Sequence, residues 1–142
     1  MSSPAVQTLE LRSELAEIER LAAFIESFGE AAKLGPDDVF SLQLALEEAA
    51  TNVITHGYGA PGQVFTVTLA AGPDAVTATL SDTAAPYDPL ARADVVTNAP
   101  LEDRAVGGLG VHLLKRLMHR AEYERRGDTN VLTLTRNLAP RR

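Results

Sequence analysis

The sequence predicts an α+β domain: a two-layer sandwich of a mixed, mainly antiparallel sheet with helices on one face. Two observations carry that expectation. Apolar residues recur at helical spacing in two stretches before residue 57 and one after residue 108, while residues 64–82 and 121–136 alternate as strands. Strands and helices also cluster along the chain rather than alternating strictly. The 142 residues suit one domain, 1–142, and a chain of that size buries roughly 70% of its unfolded surface without a covalent staple.

Residues 5–11, AVQTLEL, alternate moderately and read as an edge strand. Ser13 then caps a helix whose apolar positions are Leu15, Ile18, Leu21, Ala22, Ile25 and Phe28, with Gly29 or Gly35 ending it. Pro36 and Asp37 open a second helix through Val39, Leu42, Leu46, Ala49, Ala50 and Val53, which Gly57 and Gly59 stop. Strands 64–71 and 75–82 form a hairpin around Gly72, Pro73 and Asp74. Residues 83–108 hold three prolines and little periodicity, long enough for a functional lid. A third helix, LGVHLLKRLMH, starts just after Gly107 and Gly108, and strands AEYERR and NVLTLTR follow about a turn at Gly127 and Asp128.

Composition removes several function classes. The chain has no cysteine, which excludes disulfides, thiolate nucleophiles and Cys-based zinc sites and fits a reducing, cytoplasmic home. A net charge of -6, with acids spread along the chain, disfavours a direct nucleic-acid partner. The N-terminus lacks the pattern of a secretory signal, and no run approaches the ~18 apolar residues of a membrane span, so a soluble protein without a membrane partner is expected.

Three stretches could bind one ligand. In LEEAATNVITHGYG, Glu48 and Asn52 stand four residues apart, about 40° apart around a helix axis, with Asn52 near the border of the buried stripe. An Asn oxygen there can ligate Mg²⁺, and Glu48 one turn earlier can take a proton from a hydroxyl. Taken alone, the pair is more simply a solvated Glu and a capping or merely tolerated Asn. In SDTAAPYDP, Asp82 ends a strand where a carboxylate could accept from an exocyclic amine, although it also suits an ordinary turn. In VGGLGVHLLKRLM, a Gly-rich entry leads into a helix whose free N–H groups suit phosphate, or equally a hinge.

In this order and spacing, the three stretches resemble the N, G1 and G2 boxes of the GHKL ATPase superfamily, which includes histidine kinases and type II topoisomerases. TNVITHGYG, DTAAPYDP and GGLGVHLLKRLMHRAEYERRGDTNVLTLTR are most similar to the anti-sigma-factor serine kinases of the RsbW and SpoIIAB type, across essentially the whole chain. The resemblance implies the Bergerat ATPase fold, ATP and Mg²⁺ as cofactors, and a partner-switching role in transcription regulation. It also implies that Asn52 holds Mg²⁺, Glu48 acts as base and Asp82 binds the adenine amine beside Ala84. Gly108, Leu109, Gly110 and Val111 would line the phosphates, and residues 90–107 would be the ATP lid. The implied partners are a STAS-domain anti-anti-sigma protein as phospho-acceptor, a sigma factor, and a second copy of the chain in a homodimer.

Two positions depart from the pattern. Ala84 stands where the G1 box carries glycine, and an added methyl there predicts crowding of the base or a bar on a positive φ. Val106 replaces an arginine, leaving Arg104 as the nearest substitute. His56 reads as a helix-end residue that could also reach phosphate, His112 and His119 have no ligand-spaced partners, and Arg125 with Arg126 reads as a solvated strand end. The main reading, a protein-serine kinase that sequesters a sigma factor, has one rival in a nucleotide-gated binding module with little turnover. A motor or topoisomerase fragment is a weaker third, since no transducer domain is expected after residue 142.

Overall fold

Alternation of apolar and hydroxyl-bearing residues builds the sheet. The structure, a computed structural model, describes residues 5–90 and 114–138. Strands β2, Val64–Ala71, and β3, Ala75–Asp82, bury every second residue, with Phe65, Val67, Leu69, Val76, Ala78 and Leu80 inward and threonines outward. The Gly72 N–H donates to the Ala75 carbonyl at 2.9 Å and closes the expected hairpin. Strand β1, Ala5–Arg12, adds antiparallel to β2 as an edge. Strands β4, Arg120–Arg126, and β5, Thr129–Asn137, form the second hairpin, turning at Gly127 with φ 61°. The sheet order is β1-β2-β3-β5-β4, and every ladder among the described residues is antiparallel.

Helices cover the inner face. A 3₁₀ turn, Leu15–Glu17, leads into α1, Ile18–Ala32, which buries Leu21, Ile25 and Phe28. Ser13 does not cap it. The Ser13 hydroxyl donates to the Ala60 carbonyl at 2.6 Å and accepts the Gln63 N–H at 3.0 Å, fastening the end of β1 to the loop before β2. Instead Glu17 stabilises the corner by accepting from the Arg12 N–H and from Arg20, the two bonds that hold its carboxyl below the usual range.

Neither Gly29 nor Gly35 ends α1. Lys33 adopts a left-handed φ of 60°, and the Leu34 N–H donates back to the Gly29 carbonyl at 2.9 Å. Gly35 takes the N-cap position of α2, Pro36–Asn52, with Pro36 in the first turn as expected. Gly29 instead sets a helix contact: a Cβ there would stand 2.5 Å from Val39 Cγ2, so the missing side chain lets α1 and α2 approach.

The buried side of α2 is Ser41, Leu42, Ala45, Leu46, Ala49, Ala50 and Asn52, with Val39 and Val53 only half-buried. The small residues Ser41, Ala45 and Ala49 follow one row down the helix and carry Asn52 with them, deeper than the border position its spacing suggested. After Asn52 the chain widens into a π-helical turn, Val53–Tyr58, which Gly59 closes at φ 63°. Arg136 of β5 pairs with Asp38 at 2.7 Å and donates to the Leu117 carbonyl at 2.7 Å, tying the start of α2 to the last strand and to the helical residues 114–117. Among the described residues no helix is long and apolar enough to cross a membrane.

Gly29→Ala adds about 1 kcal/mol of helix propensity but forces a β-branched neighbour to move, a strain of about 1–3 kcal/mol. In thermal melts the substitution is expected to lower the midpoint in wild type and to raise it in a Val39→Ala background. A gain in both backgrounds would show that Gly29 sets no close approach.

Candidate functional site

Sheet register assembles the site. Asp82, at the end of β3, lies opposite Asn130 of β5, and Asn130 lies opposite Arg125 of β4, so three polar residues form one row across three strands. Asp82 is 6% exposed and Asn130 5%. Asp82 Oδ1 accepts from Asn130 Nδ2 at 2.9 Å and from the Ala84 N–H at 3.0 Å. Both bonds end on the same oxygen, so Oδ2 is the carboxylate atom available to an incoming donor.

The loop after Asp82 is held from two sides. On one side, the Asn130 amide donates to the Ala84 and Ala85 carbonyls, and Arg125 Nη1 donates to the Ala84 carbonyl at 2.7 Å. On the other, the Tyr58 hydroxyl, at the end of the π-helical turn, accepts the Thr83 N–H at 2.8 Å. That hydroxyl also lies 3.0 Å from both the Val64 carbonyl and Thr83 Oγ1. The π turn also brings Gly57 against the loop, where an added Cβ would meet the Ala84 Cβ at 3.3 Å. Ala84 is buried, and among the described residues the positive-φ position other than glycine is Lys33, so no positive φ is required at Ala84.

A cleft opens between this loop, α2 and the end of the sheet. Ala49, Asn52, Val53, Gly57, Leu80, Asp82, Ala85, Tyr87, Pro89, Tyr123, Asn130 and Leu132 line it. The walls are mostly apolar, with the acid and two amides fixed among them, a composition that suits a flat ring carrying a few polar groups. Ala85 rather than Ala84 is at the surface of the cleft.

The structure thus brings Asn52 and Asp82 together, with Glu48 one turn before Asn52 on α2 and outside the described lining. Among the described residues, Asn52 Oδ1 and Glu48 Oε2 are buried without a hydrogen-bond partner. Buried acceptors without donors are rare in folded proteins and costly, which makes these two oxygens candidate ligand positions. Asn52 Oδ1 fits a hard cation such as Mg²⁺, which takes one or two protein oxygens and leaves its other positions to phosphates and water. Arg104, Gly108, Leu109, Gly110 and Val111, and the expected lid from residue 91 onward, lie outside the described residues.

Residue-by-residue reading missed Asn130, and it placed Arg125 in solvent. Arg125 is half-buried and turned toward Ala84 and Asn130, whereas Arg126 is exposed and paired with Glu124 at 2.6 Å. The period of β4 separates the two arginines onto opposite faces, a signal that becomes readable once the strand is placed. His119 Nδ1 accepts the Asn137 N–H at 2.9 Å.

An antiparallel sheet with helices on one face, and a mostly apolar cleft with a few polar groups at its end, defines an α+β domain with a candidate ligand site. The chain belongs to the histidine kinase-like ATPase domain family, whose model matches residues 11–136. It is 34% identical over 103 residues to the serine/threonine-protein kinase BtrW of Bordetella bronchiseptica, covering 71% of this chain and 72% of that protein. Its fold is similar to the crystal structure of the RsbU and RsbW domains of Rv1364c from Mycobacterium tuberculosis, with a TM-score of 0.66 at 18% identity. That match covers 97% of this chain, which spans 33% of the length of the solved one.

Replacing Asn52 by leucine removes an unpartnered buried oxygen while keeping side-chain size. Asn52→Leu is therefore expected to stabilise the nucleotide-free protein by roughly 1–3 kcal/mol in denaturant melts. A loss of stability of that size would mean that the amide supports the fold rather than a ligand.

Proposed function

We propose that this protein is an ATP-dependent serine/threonine protein kinase of a bacterial partner-switching system, phosphorylating a STAS-domain anti-sigma-factor antagonist and sequestering a sigma factor. One observation carries the reading: two buried oxygens without partners among the described residues, on Glu48 and Asn52, stand one helical turn apart on α2, and Asn52 lines the same cleft as Asp82. Family membership supports ATP use, and the likeness to BtrW supports protein phosphorylation. A cytoplasmic homodimer is part of the same proposal.

In this reading Asp82 Oδ2 accepts from the exocyclic amine of adenine, and the apolar walls around Leu80, Val53 and Leu132 sandwich the ring. Asn52 Oδ1 holds Mg²⁺, which when bound neutralises phosphate charge. Glu48 accepts the proton of the attacking hydroxyl. Phosphoryl transfer asks the protein mainly for positioning and electrostatics, which an Asn ligand and a carboxylate base supply here. A second reading, a nucleotide-gated binding module with little turnover, is favoured by Glu48 lying outside the described lining of the cleft.

Calorimetry is expected to show ATP binding that weakens strongly when magnesium is chelated; equal affinity in chelator would remove Asn52 from the metal. With a STAS partner and labelled ATP, Glu48→Gln is expected to lose roughly 10²- to 10⁴-fold in phosphotransfer with little change in nucleotide affinity. Glu47, whose carboxyl burial pushes above its usual value, points about 100° away around α2, so Glu47→Gln is expected to retain the rate. Wild-type phosphorylation by Glu48→Gln would reassign the base. Tight partner binding with no phosphorylation by wild type would favour the binding module.

A further inference from the structure

The row Arg125–Asn130–Asp82 has an internal logic that a simple staple between strands does not need. Asn130 is 5% exposed, so the orientation of its amide is fixed by its partners rather than by water. Its oxygen accepts from the Tyr123 hydroxyl and, at 3.2 Å, from Arg125 Nη1. Its nitrogen faces three acceptors: Asp82 Oδ1 at 2.9 Å, the Ala85 carbonyl at 3.0 Å and the Ala84 carbonyl at 3.2 Å. Rotating the amide by half a turn would set an oxygen against a carboxylate and two carbonyls, and an NH₂ group against two donors. The arrangement therefore has one stable sense, with donors on the Arg125 side and acceptors on the Asp82 side.

That sense has consequences for the buried carboxylate. The Asn130 N–H and the Ala84 N–H both go to Oδ1, which fixes the Asp82 side chain and presents Oδ2 as a pure acceptor. Arg125 supplies the nearby positive charge at one remove, through the amide oxygen it holds and the Ala84 carbonyl it shares with Asn130. A carboxylate fixed at the cleft with Oδ2 open to a donor favours a ring bearing an amino group over one bearing an oxo group at the same position, since the oxo oxygen brings a second acceptor instead of a donor.

We propose that Arg125 and Tyr123, acting through Asn130, are positioning residues that set the base selectivity of the cleft, holding Asp82 so that it takes a 6-aminopurine and rejects a 6-oxopurine. The proposal rests on the reading of the cleft as an adenine-nucleotide site and adds two residues of edge strand β4: Arg125, which is not part of the cleft lining, and Tyr123, which lines the cleft and acts here through the bond of its hydroxyl to Asn130.

The test compares Mg-ATP with Mg-ITP, which differ at the 6-position of the ring, by calorimetry on the full chain. Wild type is expected to prefer ATP by about 10-fold or more, the size of a hydrogen bond to a charged group. Arg125→Gln and Asn130→Leu are expected to lower ATP affinity and leave ITP affinity nearly unchanged or improved, so the ratio falls toward one. Tyr123→Phe, which removes only a hydroxyl, shifts the ratio in the same direction by less, and Arg125→Lys restores part of it. A structural staple would weaken both nucleotides equally, so a wild-type ratio in Arg125→Gln and Tyr123→Phe overturns the inference and leaves the ATP site standing. Equal binding of ATP and ITP by wild type overturns it likewise. Absence of binding by either nucleotide removes the adenine reading itself and this inference with it.

Discussion

A carboxylate as buried as Asp82 requires donors, and the way this chain supplies them determines the shape of its cleft. The donors come from a backbone N–H two residues later and from the amide of Asn130 on the neighbouring strand. The first bond bends the chain immediately after β3, and the second pins that bend to the β4–β5 hairpin. Because Asn130 also donates to the Ala84 and Ala85 carbonyls, the loop that forms one cleft wall and the acid at its base are held by a single side chain. Moving Asn130 takes a donor from three acceptors at once, Asp82 Oδ1 and the Ala84 and Ala85 carbonyls, a cost that holds this corner together.

The opposite wall depends on a different device. Small residues along α2 let the helix settle onto the sheet, and the π turn that follows Asn52 swings Gly57 and Tyr58 toward the same loop. Tyr58 then clasps Thr83 while Gly57 leaves room for the Ala84 methyl. The cleft is thus framed by two clamps on one short loop, and the two buried oxygens without partners among the described residues, on Asn52 and Glu48, sit on α2, with Asn52 in the cleft lining. Polar satisfaction is nearly complete around Asp82 and incomplete around Asn52, a division that suits one end for reading a ring and the other for a charged group.

Much of this was legible in the sequence. Thr alternating with Val, Phe and Leu marks the β2–β3 hairpin, and Pro36 after Gly35 marks the start of α2, because both patterns depend only on neighbours along the chain. Ser13 and Gly29 misled for the same reason: a cap and a stop are local readings, whereas Ser13 bonds to residues 60 and 63 and Gly29 yields space to Val39. Asp82 and Asn52 could be singled out by spacing and by the resemblance to the GHKL boxes. Asn130 could not, since an Asn in a strand gains its meaning only from the register that sets it opposite Asp82, forty-eight residues away. Arg125 is the sharpest case, because it is adjacent to a solvated arginine and distinguished from it by nothing but the face of β4.

The decisive measurement is a crystal structure of the protein with Mg²⁺ and a non-hydrolysable ATP analogue. The adenine amino group is expected within hydrogen-bonding distance of Asp82 Oδ2, the metal on Asn52 Oδ1, and the Asn130 amide still donating to Asp82 Oδ1. An adenine ring bound outside the cleft, or a metal shell that omits Asn52, would contradict the site described above.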